Sequence, residues 1–86
     1  MPAQSIGGRR LPSEPILIDA RNLRCPLPVL RLEKALGAAG AGTAFVVLAT
    51  DPMARIDIPL HCRQHGHACS MTIEDEVYRF SILSAG

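Results

Sequence analysis

The chain has 86 residues, which allows one domain with a modest core and leaves no room for a second. Hydrophobic residues make up 48% of it, a composition typical of a globular protein. The formal net charge is +1, with no tryptophan, one tyrosine and two phenylalanines. We therefore expect no direct binding of nucleic acid, because both a strong positive field and a set of stacking rings are missing.

The sequence also bears on membranes and on the cellular compartment. No apolar run approaches the ~18–20 residues that span a bilayer, and the N-terminal residues lack the apolar stretch of a secretory signal. We expect no membrane association and a cytoplasmic location. The cysteines are odd in number and none lies in a C-x-x-C pair: Cys25, Cys62 and Cys69. A functional thiol is therefore favoured over a disulfide framework.

The first half of the chain predicts a βαβ unit. Residues 1–14 lack periodicity, and we predict a flexible N-terminal arm before a single domain over residues 15–84. Ile16-Leu17-Ile18 predicts a short buried strand that closes at Asp19. A helix follows, ending near Gly40, with four apolar residues at helical spacing on one face: Val29, Leu32, Leu36 and Ala39. The apolar run over 44–49 predicts a second, central strand.

The second half predicts a helix and a hairpin. Asp51-Pro52 is a helix-start signal, but Pro59 is unfavourable in a helix interior. We therefore predict that the main helix restarts with Asp57 as its cap, runs to His65 and is stopped by Gly66. The alternating tail then predicts two antiparallel strands around an acidic turn. The order βαβαββ predicts a two-layer α+β sandwich, with both helices on one sheet face and the other face thinly covered.

The stretch Arg24-Cys25-Pro26-Leu27-Pro28 carries the chemistry. Cys25 stands where a loop becomes the first helix, with Pro26 suited to the first helical position. A thiolate at a helix start meets unpaired N–H groups and the positive end of the dipole, which lowers its pKa. The prolines hold this start rigid, and four basic residues near Cys25 in the sequence are candidates for supporting the thiolate or docking acidic partners: Arg21, Arg24, Arg31 and Lys34.

Other interpretations of these residues stay open. Cys25 could be a small buried hydrophobic residue, as free cysteines often are. No histidine or aspartate is an obvious partner for Cys25, which favours group carriage over amide hydrolysis. His61 and His65 have a spacing able to hold a metal ion, but the helix ends beside them and no metal site is expected. Cys62 is predicted to face the core, with a redox role as the alternative.

Taken together, several motifs resemble the TusA/SirA-like sulfur carriers. They are Asp19-x-x-x-Leu23-x-Cys25-Pro26-x-Pro28, Asp51-Pro52, Asp57-Ile58-Pro59, Cys62 and Gly66-His67, spread from about residue 16 to residue 83. Asn22 stands where the family usually has glycine, and asparagine is the residue that best tolerates a left-handed backbone.

The resemblance implies both a fold and a function. It implies a four-stranded mixed sheet in the order 1-2-4-3 with the last strand antiparallel. It implies that Cys25 bears a persulfide, received from a cysteine desulfurase or a rhodanese-like donor and passed to an acceptor protein, without a cofactor. A non-catalytic regulatory or protein-binding module and a thiol redox sensor are the alternative functions.

Overall fold

Four strands and two helices follow one another in the predicted order. The computed structural model describes residues 14–85, so the predicted N-terminal arm lies outside the described residues apart from Glu14. The elements are β1 (Ile16–Ala20), α1 (Leu27–Ala38), β2 (Ala44–Ala49), α2 (Ala54–Gln64), β3 (Ala68–Glu74) and β4 (Val77–Leu83).

The strands form one mixed sheet in the order β1-β2-β4-β3, as predicted. β1 and β2 are parallel, with Ile18 opposite Val47. β4 is antiparallel to both of its neighbours, β2 and β3. Because β1 and β2 are parallel, the connections that follow them both leave from the same end of the sheet.

Both helices pack on one face of the sheet and enclose the core. Leu32 of α1 and Ile58 of α2 are fully buried in one cluster with side chains of the central strands: Phe45, Val47 and Phe80. On the opposite face, Leu17 is 60% exposed and Leu83 is 49% exposed. The predicted burial of the whole first strand is therefore wrong for Leu17, because β1 lies at the sheet edge and, within residues 14–85, no element covers its outer face.

α2 differs from the prediction at its start. It begins at Ala54 and runs without a break through Asp57 and Pro59, so Asp57 is not a helix cap. Pro59 lies inside α2 and removes one backbone donor, at a cost of about 3 kcal/mol in a helix interior. The stripe formed by Ala54, Ile58 and Cys62 is buried on both sides of Pro59, and this packing holds the helix together.

The C-terminal end of α2 agrees with the prediction. Gly66 has a positive φ of 78° just beyond the helix. The His67 N–H donates to the Cys62 carbonyl oxygen at 2.8 Å, and the Gly66 N–H donates to the Arg63 carbonyl oxygen at 3.3 Å. This pair of bonds is a Schellman motif, which satisfies carbonyl groups that the helix end would otherwise leave unpaired.

Candidate functional site around Cys25

Two connecting segments meet at one end of the sheet and build the site. The segment after β1 carries Cys25 and leads into α1, and the segment after β2 carries Asp51 and leads into α2. The two strands are parallel, so these segments lie side by side although they are far apart in sequence. The loop before Cys25 is fixed to the second segment, because the Asn22 N–H donates to the Thr50 hydroxyl oxygen at 2.9 Å. Asn22 adopts the left-handed conformation, with a φ of 68°, as its place in the family pattern predicts.

Cys25 is exposed and stands two residues before α1. Pro26 occupies the N-cap position and Pro28 is the second helical residue, so the helix begins one residue later than predicted. Neither proline has an N–H group, and the Leu27 N–H already donates to the Arg24 carbonyl oxygen at 2.8 Å. The first turn of α1 therefore has few unpaired N–H groups that could stabilise a Cys25 thiolate. The predicted lowering of the pKa of Cys25 relied on such groups.

Two carboxylates from the second segment contact Cys25 instead. The Cys25 thiol lies 2.8 Å from Asp57 Oδ2, with the sulfur as donor. The Cys25 backbone N–H donates to Asp51 Oδ2, while Asp51 Oδ1 accepts from the Met53 N–H at 3.2 Å. The sequence interpretation identified no acidic partner for Cys25, so both aspartates were missed. The βαβ pattern was the available signal, because it brings the two helix starts together.

The electrostatics of Cys25 contradict the predicted activated thiolate. The hydrogen bond to the Asp57 carboxylate raises the pKa of the Cys25 thiol, and partial desolvation and the charges of Asp57 and Asp51 act in the same direction. The prediction of a lowered pKa is therefore wrong for the isolated protein. It relied on the helix dipole and on basic neighbours, whereas the charges closest to the sulfur are negative.

The predicted basic residues do not converge on the sulfur. Arg21 forms an ion pair with Asp19 at 2.8 Å, which lowers the pKa of Asp19 to about 2. Arg31 and Lys34 line a groove on the β1 side of α1, together with Leu17, Ile18, Asp19, Ala35 and Ala38. Arg24 lies beside Asp51 and Pro52 in a separate groove, on the side where the two connecting segments meet.

The remaining cysteines and the histidines lie elsewhere. Cys62 is 1% exposed and faces the core, as predicted, and Cys69 is half-buried on β3. The rings of His61 and His65 are 4.4 Å apart near the C-terminal end of α2, away from Cys25. Within residues 14–85, no group of three or more potential ligand side chains is placed to hold a metal ion.

The thiols of Cys25 and Cys62 are expected to differ in reactivity. Burial raises the pKa of the Cys62 thiol to about 12, so both access and ionisation oppose its alkylation. We expect iodoacetamide to modify Cys25 first in the native protein, and Cys62 at least about tenfold more slowly. Pulse labelling followed by peptide mass spectrometry measures both rates. In denaturant the difference should vanish, and equal native rates would mean that the core around α2 opens readily.

These features define a small two-layer α+β domain that presents one exposed cysteine at the start of its first helix. A family model described as "Sulfurtransferase TusA" matches residues 16–84. The chain belongs to this family.

Individual relatives agree with this membership. The sulfur carrier protein TusA of Allochromatium vinosum is 38% identical over 66 residues, covering 77% of this chain and 86% of the relative. That of Pseudomonas putida (strain KT2440) is 41% identical over 59 residues, covering 69% of this chain and 74% of the relative. The crystal structure of a SirA-like protein from Desulfitobacterium hafniense superposes with a TM-score of 0.76 at 30% identity, covering 83% of this chain and 99% of that one. In the part that the structure describes, neither helix is long and apolar enough to cross a membrane.

Proposed function

We propose that this protein is a cytoplasmic sulfur carrier that holds sulfur as a persulfide on Cys25. It receives the sulfur from a cysteine desulfurase or a rhodanese-like donor and delivers it to an acceptor protein. The observation that carries the proposal is the exposed Cys25 thiol at the start of α1, in a chain whose relatives are named sulfur carrier proteins. Pro26 and Pro28 support it by fixing the backbone at this helix start.

The proposed transfer exchanges one sulfur–sulfur bond for another. Cys25 sulfur attacks the outer sulfur of the donor persulfide, and a new S–S bond forms while the donor's own S–S bond breaks. The donor cysteine leaves as a thiolate and takes up the proton that Cys25 loses. The donor persulfide is thereby reduced to a thiol and Cys25 is oxidised to a persulfide, with no external oxidant. Delivery to an acceptor thiol repeats the exchange in the other direction.

Partner proteins must reach Cys25 in turn, and the surface beside it suits protein contact. Large apolar side chains are exposed at or near the N-terminal ends of both helices: Leu27, Leu30, Met53 and Ile56. Such apolar exposure is typical of interaction sites. Arg24 lies on the same side. Arg31 and Lys34 line the groove beside β1, and Arg21 is paired with Asp19 at the end of β1; these three are secondary docking residues in the proposal.

Sulfur loading tests the proposal directly. The protein is incubated with a purified cysteine desulfurase and cysteine, and its intact mass is measured before and after treatment with a thiol reductant. We expect a gain of one sulfur atom that maps to the Cys25 peptide and is removed by the reductant. A protein that gains no sulfur under conditions that load a relative of known activity would instead be a binding or regulatory module.

A further inference from the structure

The Cys25 thiol is held between two acidic side chains. Its sulfur donates to Asp57 Oδ2 at 2.8 Å, and its backbone N–H donates to Asp51 Oδ2. Both aspartates are half-buried. Asp51 also accepts the Met53 N–H, and Asp57 lies on α2 next to the fully buried Ile58. The contact with sulfur is therefore built by the packing of α2.

Among the residues that the structure describes, no cationic side chain neutralises these carboxylates. Within residues 14–85, the ion pair of Arg21 is with Asp19, and no arginine or lysine forms an ion pair with Asp51 or Asp57. In the described part of the chain, the charged groups identified around Cys25 are Asp57 from α2, Asp51 from the segment before α2, and Arg24 from its own loop. A thiolate in this position would face two negative charges at close range.

This arrangement creates a difficulty for a sulfur carrier, because the nucleophile in sulfur exchange is the thiolate. The hydrogen bond to Asp57 stabilises the protonated thiol and so opposes attack on a persulfide. For sulfur transfer to proceed, a group of the donor protein must therefore neutralise the Asp57 carboxylate, so that the Cys25 thiol can lose its proton.

We propose that Asp57 locks the Cys25 thiol in the free carrier, and that a cationic side chain of the sulfur donor pairs with Asp57 on docking and releases the sulfur for attack. The inference rests on the proposed function and adds a property that the partner must have: an arginine or lysine beside its persulfide-bearing cysteine. In the docked complex the carboxylate is neutralised by the ion pair, Cys25 loses its proton, and the donor thiolate accepts that proton when its S–S bond breaks. Asp57 is unchanged at the end.

The test replaces Asp57 by asparagine and compares two kinds of sulfur donor. Asp57→Asn removes the negative charge and keeps an oxygen that can accept the thiol hydrogen. Asp75→Asn is the matched control, since it makes the same charge change in the β3–β4 turn, where φ is 49° and asparagine is well tolerated. Each protein is treated with iodoacetamide, with glutathione persulfide, and with a cysteine desulfurase plus cysteine. Cys25 modification is followed by peptide mass spectrometry near neutral pH.

The lock predicts effects of opposite sign for the two donors. In Asp57→Asn, alkylation and loading from glutathione persulfide should rise about threefold or more, because the thiol ionises more readily. Loading from the desulfurase at limiting carrier concentration should fall about threefold or more, because the ion pair with the donor is lost. Asp75→Asn should match the wild type in all three reactions.

Other outcomes overturn the lock. If Asp57→Asn reacts more slowly with both small reagents, Asp57 is a general base that assists proton removal. If the variant loads from the desulfurase as fast as the wild type or faster, no cation of the donor pairs with Asp57. A wild type that accepts sulfur from neither donor would refute the proposed function itself, and circular dichroism of each variant checks that the fold is retained.

Discussion

Replacing Cys25 by serine is expected to abolish sulfur loading completely. A hydroxyl oxygen cannot form the persulfide, so the acceptor atom itself is lost. The fold should be unaffected, because Cys25 is exposed and the serine hydroxyl can still donate to the Asp57 carboxylate. Intact mass spectrometry after incubation with a cysteine desulfurase and cysteine measures the loss.

Cys69→Ser is the matched control for that experiment. Cys69 is a half-buried thiol on β3, at the opposite edge of the sheet from β1. This variant should still take up one sulfur atom on Cys25. If the Cys25→Ser protein still takes up one sulfur atom, the carrier site is another thiol. If the Cys69→Ser protein keeps its fold but takes up no sulfur, the transfer involves two cysteines.

Replacing Ile58 by alanine is expected to destabilise the domain by about 2–5 kcal/mol. Ile58 is fully buried on α2, and truncation leaves a cavity between the helix and the sheet as well as lost apolar burial. Small domains have a free energy of unfolding of only roughly 5–15 kcal/mol, so the variant should be partly unfolded near physiological temperature. Urea unfolding followed by circular dichroism measures the change.

Ile56→Ala makes the same chemical change two residues away on the same helix. Ile56 is 59% exposed, so the free energy of unfolding should stay within about 0.5 kcal/mol of the wild type. Equal losses in the two variants would mean that burial of Ile58 against the sheet does not determine the stability of α2. Asp57 lies between these two positions and contacts Cys25. Because the Ile56→Ala protein stays folded, it should keep this contact and the wild-type alkylation rate of Cys25.

The secondary structure was predictable because its signals are local. The apolar run over 44–49 is buried on most of its length and is a central strand, and the alternating tail is a hairpin. Gly66 terminates α2 through its positive φ, which glycine adopts without steric strain. The strand order 1-2-4-3 came from the family resemblance, since alternation of residues along a strand does not reveal which strand pairs with which.

Errors arose where packing outweighs a local preference. Pro59 on its own predicts a helix boundary, but the buried stripe of α2 continues through it, and Asp57 is thereby a helix side chain that faces Cys25. Leu17 has the composition of a buried strand and is exposed because β1 is an edge strand. The continuation of α2 through Pro59 and the exposure of Leu17 both depend on neighbours that are distant in the sequence.

The sequence by itself determined the βαβαββ order, the core-facing Cys62 and the position of Cys25 at a helix start, because each follows from residues within a few positions of one another. Only the tertiary structure decided the chemical environment of the thiol. Asp57 is 32 residues from Cys25 in the chain, and it reaches the sulfur because parallel pairing of β1 and β2 brings the two helix starts to one end of the sheet. An electrostatic interaction depends on distance in space, so the carboxylates that contact Cys25 outweigh basic residues that are closer to it in sequence, of which Arg21 is paired with Asp19 and Arg31 and Lys34 line a separate groove.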